Sequence, residues 1–147
     1  MKKEIKTEIV IQAAPAKVWE VLTAFNRYAE WNPFIKWLTG EVKTGSKIVV
    51  RLEQPDSKGM TFKPTVLAFE PNKEFRWIGH LLFPGLFDGE HRFELKDNGD
   101  GTTTFIQAER FKGMLVRLFS KMLDQNTVKG FRMMNEKLKE EAESLNK

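Results

Sequence analysis

The sequence predicts an α+β fold in which helices cover one face of an antiparallel sheet. Three observations carry this. An alternating run opens the chain, short alternating runs separated by turn residues fill its middle, and helical periodicity takes over from about residue 115 onward. At 147 residues, 41% hydrophobic and 30% charged, the chain has the length of one domain and the composition of a globular one.

Residues 5–11 place Ile5, Thr7, Ile9 and Ile11 on one side and Lys6, Glu8 and Val10 on the other, the period of a half-buried strand. Ala13-Ala14-Pro15 ends this strand, and Pro15 suits a first helical turn, where its missing N–H leaves no bond unmade. Val18, Trp19, Leu22 and Phe25 then recur at helical spacing, giving an amphipathic helix to about residue 25. A second short helix over 27–31 stops before Pro33, because the residue preceding a proline is pushed out of the helical region.

Strands follow over 47–53, 60–69, 74–82, 90–96 and 102–111. Pro64 marks a bulge or an edge within the second of these. In the third, Phe75, Trp77, Gly79 and Leu81 share a face; in the fourth, His91, Phe93 and Leu95; in the fifth, Phe105, Gln107, Glu109 and Phe111. Asn98-Gly99-Asp100-Gly101 is a hairpin signal, since both dipeptides accept the positive φ of tight turns. Leu115, Phe119, Met122, Phe131, Met134, Leu138, Ala142 and Leu145 fall near one helical stripe, with a straight helix over 128–145. Its outer face carries Lys137/Glu141 and Lys139/Glu143 pairs at i,i+4 spacing.

Composition closes off several function classes. The chain has no Cys, which excludes a disulfide framework, a thiol nucleophile and any Cys-ligated metal. Only His80 and His91 are available as imidazole ligands, at no metal-motif spacing, so neither a metal nor another cofactor is expected. Lys and Arg number 24 against 20 Asp and Glu, scattered without a basic block, so no nucleic-acid partner is expected. No apolar run suits a signal peptide or a membrane helix, which points to a cytoplasmic chain without integral membrane association. A monomer is the expected state.

The element order and four segments resemble the START/Bet v 1-like superfamily, the SRPBCC group that includes polyketide cyclases/dehydrases and lipid-transport proteins. The segments are Ala14-Pro15-Ala16-Lys17-Val18-Trp19, then Trp31-Asn32-Pro33-Phe34, then Phe75-Arg76-Trp77 through Pro84-Gly85-Leu86 to His91-Arg92-Phe93, and finally Glu109-Arg110-Phe111-Lys112-Gly113. Together they span most of the chain, and the resemblance is to small stand-alone bacterial members. It implies a helix-grip fold: a curved antiparallel sheet wrapped around the long C-terminal helix, with two short helices after the first strand and a hydrophobic cavity inside. It also implies binding of a small hydrophobic or aromatic molecule, such as a lipid, polyketide-like or isoprenoid compound, by a non-enzymatic carrier or sensor. A cyclase/dehydratase using the same cavity, or a chaperone-associated interaction module with a filled core, are the alternatives, since one fold hosts many functions.

On this frame the expected ligand-binding residues are Trp31, Asn32, Phe75, Trp77, Gly79, His91, Phe93, Phe105, Gln107, Glu109, Phe111, Phe131 and Met134. Gly79 and Gly130 leave room for neighbours. Glu109 and Gln107 stand out because an unpaired inward carboxylate is expensive, so each either meets a partner or faces a cavity. Glu109 and His91, meeting across the sheet, are the candidate acid–base pair. His80 points outward. The 83–89 segment carries Phe83, Leu86 and Phe87 together with Gly85 and Gly89, the make-up of a lid or a contact surface.

Overall fold

A computed structural model describes residues 2–54, 58–81 and 83–145. Strand β1 (Lys2–Ile11) opens the chain and buries Ile5, Thr7 and Ile11. Helix α1 (Pro15–Thr23) starts on Pro15 as expected and buries Val18, Trp19, Val21 and Leu22. A 3₁₀ turn (Phe25–Arg27) and the short helix α2 (Tyr28–Trp31) follow. The buried Tyr28 hydroxyl donates to the Leu22 carbonyl, and burial pushes its pKa strongly upward.

Strand β2 (Ile35–Thr39) is absent from the sequence reading. Its inward residues Ile35 and Leu38 stand three apart because a bulge between Ile35 and Trp37 shifts the register against β3 (Val49–Leu52), hiding the alternation. The strand expected over 60–69 is two strands, β4 (Met60–Phe62) and β5 (Thr65–Glu70), in different sheets. Pro64 stands at the break, where a residue without an N–H cannot continue a ladder. Residues 55–57 of the expected turn, and Leu82 at the end of the expected third strand, lie outside the described residues.

Strands β6 (Glu74–His80), β7 (Asp88–Asp97) and β8 (Thr103–Lys112) complete an antiparallel sheet in the order β1-β8-β7-β6-β5. The second sheet runs β2-β3-β4, and the Lys47–Thr65 bridge joins the two. Gly99 and Gly101 adopt the positive φ that the β7–β8 turn requires. Because β6 ends at His80, alternation no longer directs Leu81 inward, and it is exposed rather than buried.

The C-terminal helix is one run of 29 residues in three parts: α3 (Val116–Met122), a π-helical segment (Leu123–Thr127) and α4 (Val128–Ser144). The wider turn rotates the buried stripe, so that Leu123 and Thr127 lead into Phe131, Met134, Leu138 and Ala142. Leu145, expected on that stripe, falls beyond the helix end and is exposed. Lys139 pairs with Glu143 as expected, whereas Lys137 reaches Glu140 instead of Glu141. The antiparallel sheet gripping this helix is the helix-grip fold that the resemblance implied.

Gly130 lets α4 pack closely against Phe34, which lies between α2 and β2. A Cβ there would lie 2.8 Å from Cδ1 and 3.0 Å from Cε1 of Phe34, whose own ring is held edge-on by Phe131. Gly130→Ala is expected to destabilise by about 1–3 kcal/mol through overpacking, reduced by the roughly 1 kcal/mol that alanine adds in a helix. Urea denaturation checks this, and a variant of raised stability would refute the close packing.

Candidate functional site

Antiparallel register places His91 of β7 directly opposite Glu109 of β8, and Phe93 opposite Gln107. His91 and Gln107 both reach α4, His91 through the ring of Phe131 and Gln107 through the Phe131 carbonyl and Asn135. The contact expected from alternation is made: His91 Nδ1 lies 3.0 Å from Glu109 Oε1, and His91 Nε2 lies 3.0 Å from Gln107 Oε1. Gln107 Nε2 donates to Asn135 Oδ1 at 2.8 Å and approaches the Phe131 carbonyl at 3.4 Å. Asn135 Nδ2 donates to the Thr7 hydroxyl at 2.9 Å, which donates in turn to the Gln107 carbonyl at 2.8 Å. A five-residue polar chain thus crosses the apolar core from β7 through β8 to α4 and β1, with every link satisfied.

This chain determines where the protons sit. The Phe131 carbonyl only accepts, so the amide nitrogen of Gln107 faces it and the amide oxygen faces His91. His91 Nε2 therefore carries a proton. A hydrogen bond between Nδ1 and Glu109 needs one more proton, held on either partner, giving imidazolium–carboxylate or imidazole–carboxylic acid. The two states differ by the position of that single proton. Aromatic rings enclose the imidazole: Trp77 stacks at 4.9 Å, Phe93 packs at 4.7 Å, and Phe131 meets it edge-on at 5.0 Å.

Glu109 is the member of this chain that lines a largely apolar cavity, whereas Thr7 and Asn135 at its other end border an open depression with Lys6, Glu8, Arg132 and Glu136. The Glu109 side chain is 15% exposed against 1% for His91. Oε1 is taken by His91, and Oε2 lies over Gly89, where any side chain would collide with it. The cavity holds about 130 Å³ and is walled by Phe34, Leu52, Phe62, Phe87, Phe111 and Leu123 among others, with Glu109, Gln54 and Thr127 as polar groups. It opens toward the exposed Met60 and Leu81. That volume is near the roughly 150 Å³ of a cavity that accepts one benzene ring. A wider, open depression of about 700 Å³ near the start of α1 is rimmed by Glu70, Lys73, Glu94 and Lys96 and holds none of the expected site residues.

Of the expected ligand-binding residues, Gly79, Glu109 and Phe111 line the cavity. His91 and Gln107 stand behind Glu109, as described. Phe75, Trp77, Phe93, Phe105, Phe131 and Met134 are fully buried packing around the polar chain and do not line that cavity. Trp31 is half-buried against Tyr28. Asn32 accepts from the N–H groups of Phe34 and Ile35 at 2.9 Å each, and its buried Nδ2 has no partner among the described residues. His80 is exposed as expected, yet it sits at the cavity rim and contacts Asp88 at 2.7 Å.

Sequence reasoning missed Thr7, Gly89 and Asn135. Thr7 and Asn135 carry the signal that singled out Gln107, a polar residue on an apolar face, since Asn135 lies four residues after Phe131 on α4. Gly89 carries none, because its role depends on Glu109 lying across the sheet.

Residues 2–143 match the family described as polyketide cyclase/dehydrase and lipid transport. The chain belongs to that family. No curated protein matches this family member in sequence. Its fold is similar to that of the Zhui aromatase/cyclase from Streptomyces sp. R1128, at 13% identity and a TM-score of 0.80, covering 100% of this chain and 97% of the other. A norcoclaurine synthase from Thalictrum flavum matches at 11% identity and 0.77, covering 100% and 98%. A START superfamily protein from Mycobacterium smegmatis matches at 15% identity and 0.73, covering 97% and 98%. Family and fold together support a ligand-binding or cyclase role for this polyketide cyclase/dehydrase and lipid-transport family member.

Proposed function

We propose that this protein binds a small, mostly apolar molecule bearing a hydroxyl group, with one aromatic ring or its equivalent seated in the cavity and the hydroxyl donating to Glu109 Oε2. The observation that supports this most directly is a carboxylate with one oxygen tied to His91 and the other at the wall of a largely apolar cavity. Burial of apolar area drives such binding at roughly 25 cal/mol per Å², and one placed polar group orients the ligand. The rest of a larger lipid, polyketide-like or isoprenoid molecule leaves through the opening at Met60 and Leu81. A non-enzymatic carrier or sensor, monomeric and cytoplasmic, is the form of this proposal. An existing cavity speaks for it over the filled core of an interaction module.

A cyclase/dehydratase role is the second reading, and the 3.0 Å contact between His91 Nδ1 and Glu109 Oε1 is what favours it. With the shared proton on His91, Glu109 is a carboxylate base at the cavity wall; with the proton returned, it is an acid. Binding is tested by amide NMR titration with p-cresol and toluene, then fatty acids, sterols and polyketide-like aromatics. Saturable shifts around Phe34, Phe87, Glu109 and Phe111, tighter for p-cresol than for toluene, are expected. A flat response from a well-folded spectrum rejects the proposal.

A further inference from the structure

We infer that the face built from the 83–87 loop and α3 docks on an anionic lipid bilayer. Met114 is 74% exposed, Leu118 73% and Phe83 54%. These apolar tips come from two segments held together: the Met114 N–H donates to the Gly85 carbonyl at 3.2 Å and the Leu115 N–H to the Leu86 carbonyl at 3.0 Å. Phe87 packs edge-on against Phe119 beneath them at 5.5 Å. Helix α3 is therefore two-faced, with Val116 buried, Phe119 turned inward to Phe87, and Leu118 standing in solvent beside Arg117 and Lys121.

Charge identifies the occupant. Lys112, Arg117 and Lys121 are exposed, and no acidic residue lies between Phe111 and Leu123. None of the three cations enters an ion pair among the described residues. Lys2 stands opposite Lys112 in the β1–β8 register and adds a further positive charge. The nearby Asp88 is occupied by His80 and the Gly85 N–H. Apolar side chains that project singly, flanked by free cations, fit a fluid anionic surface: the tips enter the acyl boundary while Lys and Arg meet the headgroups. A second copy of this chain would bring the same positive charges together, which opposes self-association through this face. Among the described residues no helix is long and apolar enough to cross a membrane, so the contact is peripheral.

Docking does not require an occupied cavity, so its failure and that of the proposed binding are separable. The test is co-sedimentation with phosphatidylcholine vesicles, with and without phosphatidylglycerol, in low and high salt. Binding to the anionic vesicles in low salt is expected, with loss in high salt. Arg117→Glu with Lys121→Glu is expected to weaken it by about 30-fold or more, from roughly fivefold for each basic residue near the surface. Met114→Ser with Leu118→Ser, at unchanged charge, is expected to weaken it by about tenfold or more. All four positions are exposed, so thermal melts of both variants should match the parent protein. Equal binding to both vesicle types, or salt-sensitive binding indifferent to Met114 and Leu118, overturns the inference. So does the absence of vesicle binding together with self-association that the serine variant abolishes in light scattering, which assigns the face to a second copy.

Discussion

His91→Ala is expected to lower folding stability by about 3–5 kcal/mol, the largest effect of any single substitution at the site. Two losses combine. The imidazole is 1% exposed and fills the space between Trp77, Phe93 and Phe131, so its removal leaves a void among rings that are themselves fully buried. It also leaves Gln107 Oε1 facing no donor in the core, a desolvation cost of about 1–3 kcal/mol. Glu109 suffers less, because it reaches the cavity and can take up water there. His91→Phe separates the contributions: it keeps the ring volume and loses the hydrogen bonds, and should recover roughly half of the loss. Urea denaturation of the two variants provides the comparison. A loss below about 1 kcal/mol for His91→Ala would show that the polar chain adds nothing a repacked core cannot supply.

Glu109→Gln should change ligand behaviour with little change in stability, because the amide keeps the shape of the carboxylate and can donate to His91 Nδ1. If Glu109 acts only as an anchor, the charge-assisted hydrogen bond from a ligand hydroxyl weakens, and affinity for p-cresol falls by about tenfold while that for toluene is unchanged. If the protein is a cyclase or dehydratase, the same substitution removes the proton acceptor, and turnover falls by about 10²–10⁴-fold with binding largely retained. Gly89→Ala is the geometric companion. Its Cβ would collide with Glu109 Oε2 and drive the carboxylate out of position, so it should mimic Glu109→Gln in affinity without altering any charge. Isothermal titration of both variants against the two ligands discriminates the cases. Equal losses for p-cresol and toluene would remove Glu109 from the polar role altogether.

Alternation alone located His91, Gln107 and Glu109 on the inner face and allowed the first and last of them to meet, because strand periodicity dictates sides and an inward carboxylate demands an explanation. It did not reveal that Gln107 is the bridge to Asn135, nor that Thr7 closes the circuit. Asn135 is 28 positions from Gln107, and Thr7 is 100 from Gln107 and 128 from Asn135, so these links form only through β1 and α4 packing on the same strands. Similarly, Phe75, Trp77, Phe93, Phe105 and Phe131 lie buried behind the wall of the 130 Å³ cavity, while Phe111 lines it. Inward direction is legible from period two; depth along that direction depends on how closely α4 approaches, which Gly130 and Phe34 set.

By itself the sequence determined the α+β class, the order of most elements, the turn at Asn98–Gly101, the start of α1 at Pro15 and the polar residues that needed partners. Each rests on a local rule, a period, a proline or a glycine, that acts within a few residues. Only the tertiary structure decided the bulge that conceals β2, the separation of β4 from β5, the π turn that rotates the buried stripe, and the cavity at which Glu109 ends. These depend on contacts between distant segments, where packing overrides local pattern and where a glycine such as Gly89 takes its meaning from the carboxylate lying across from it.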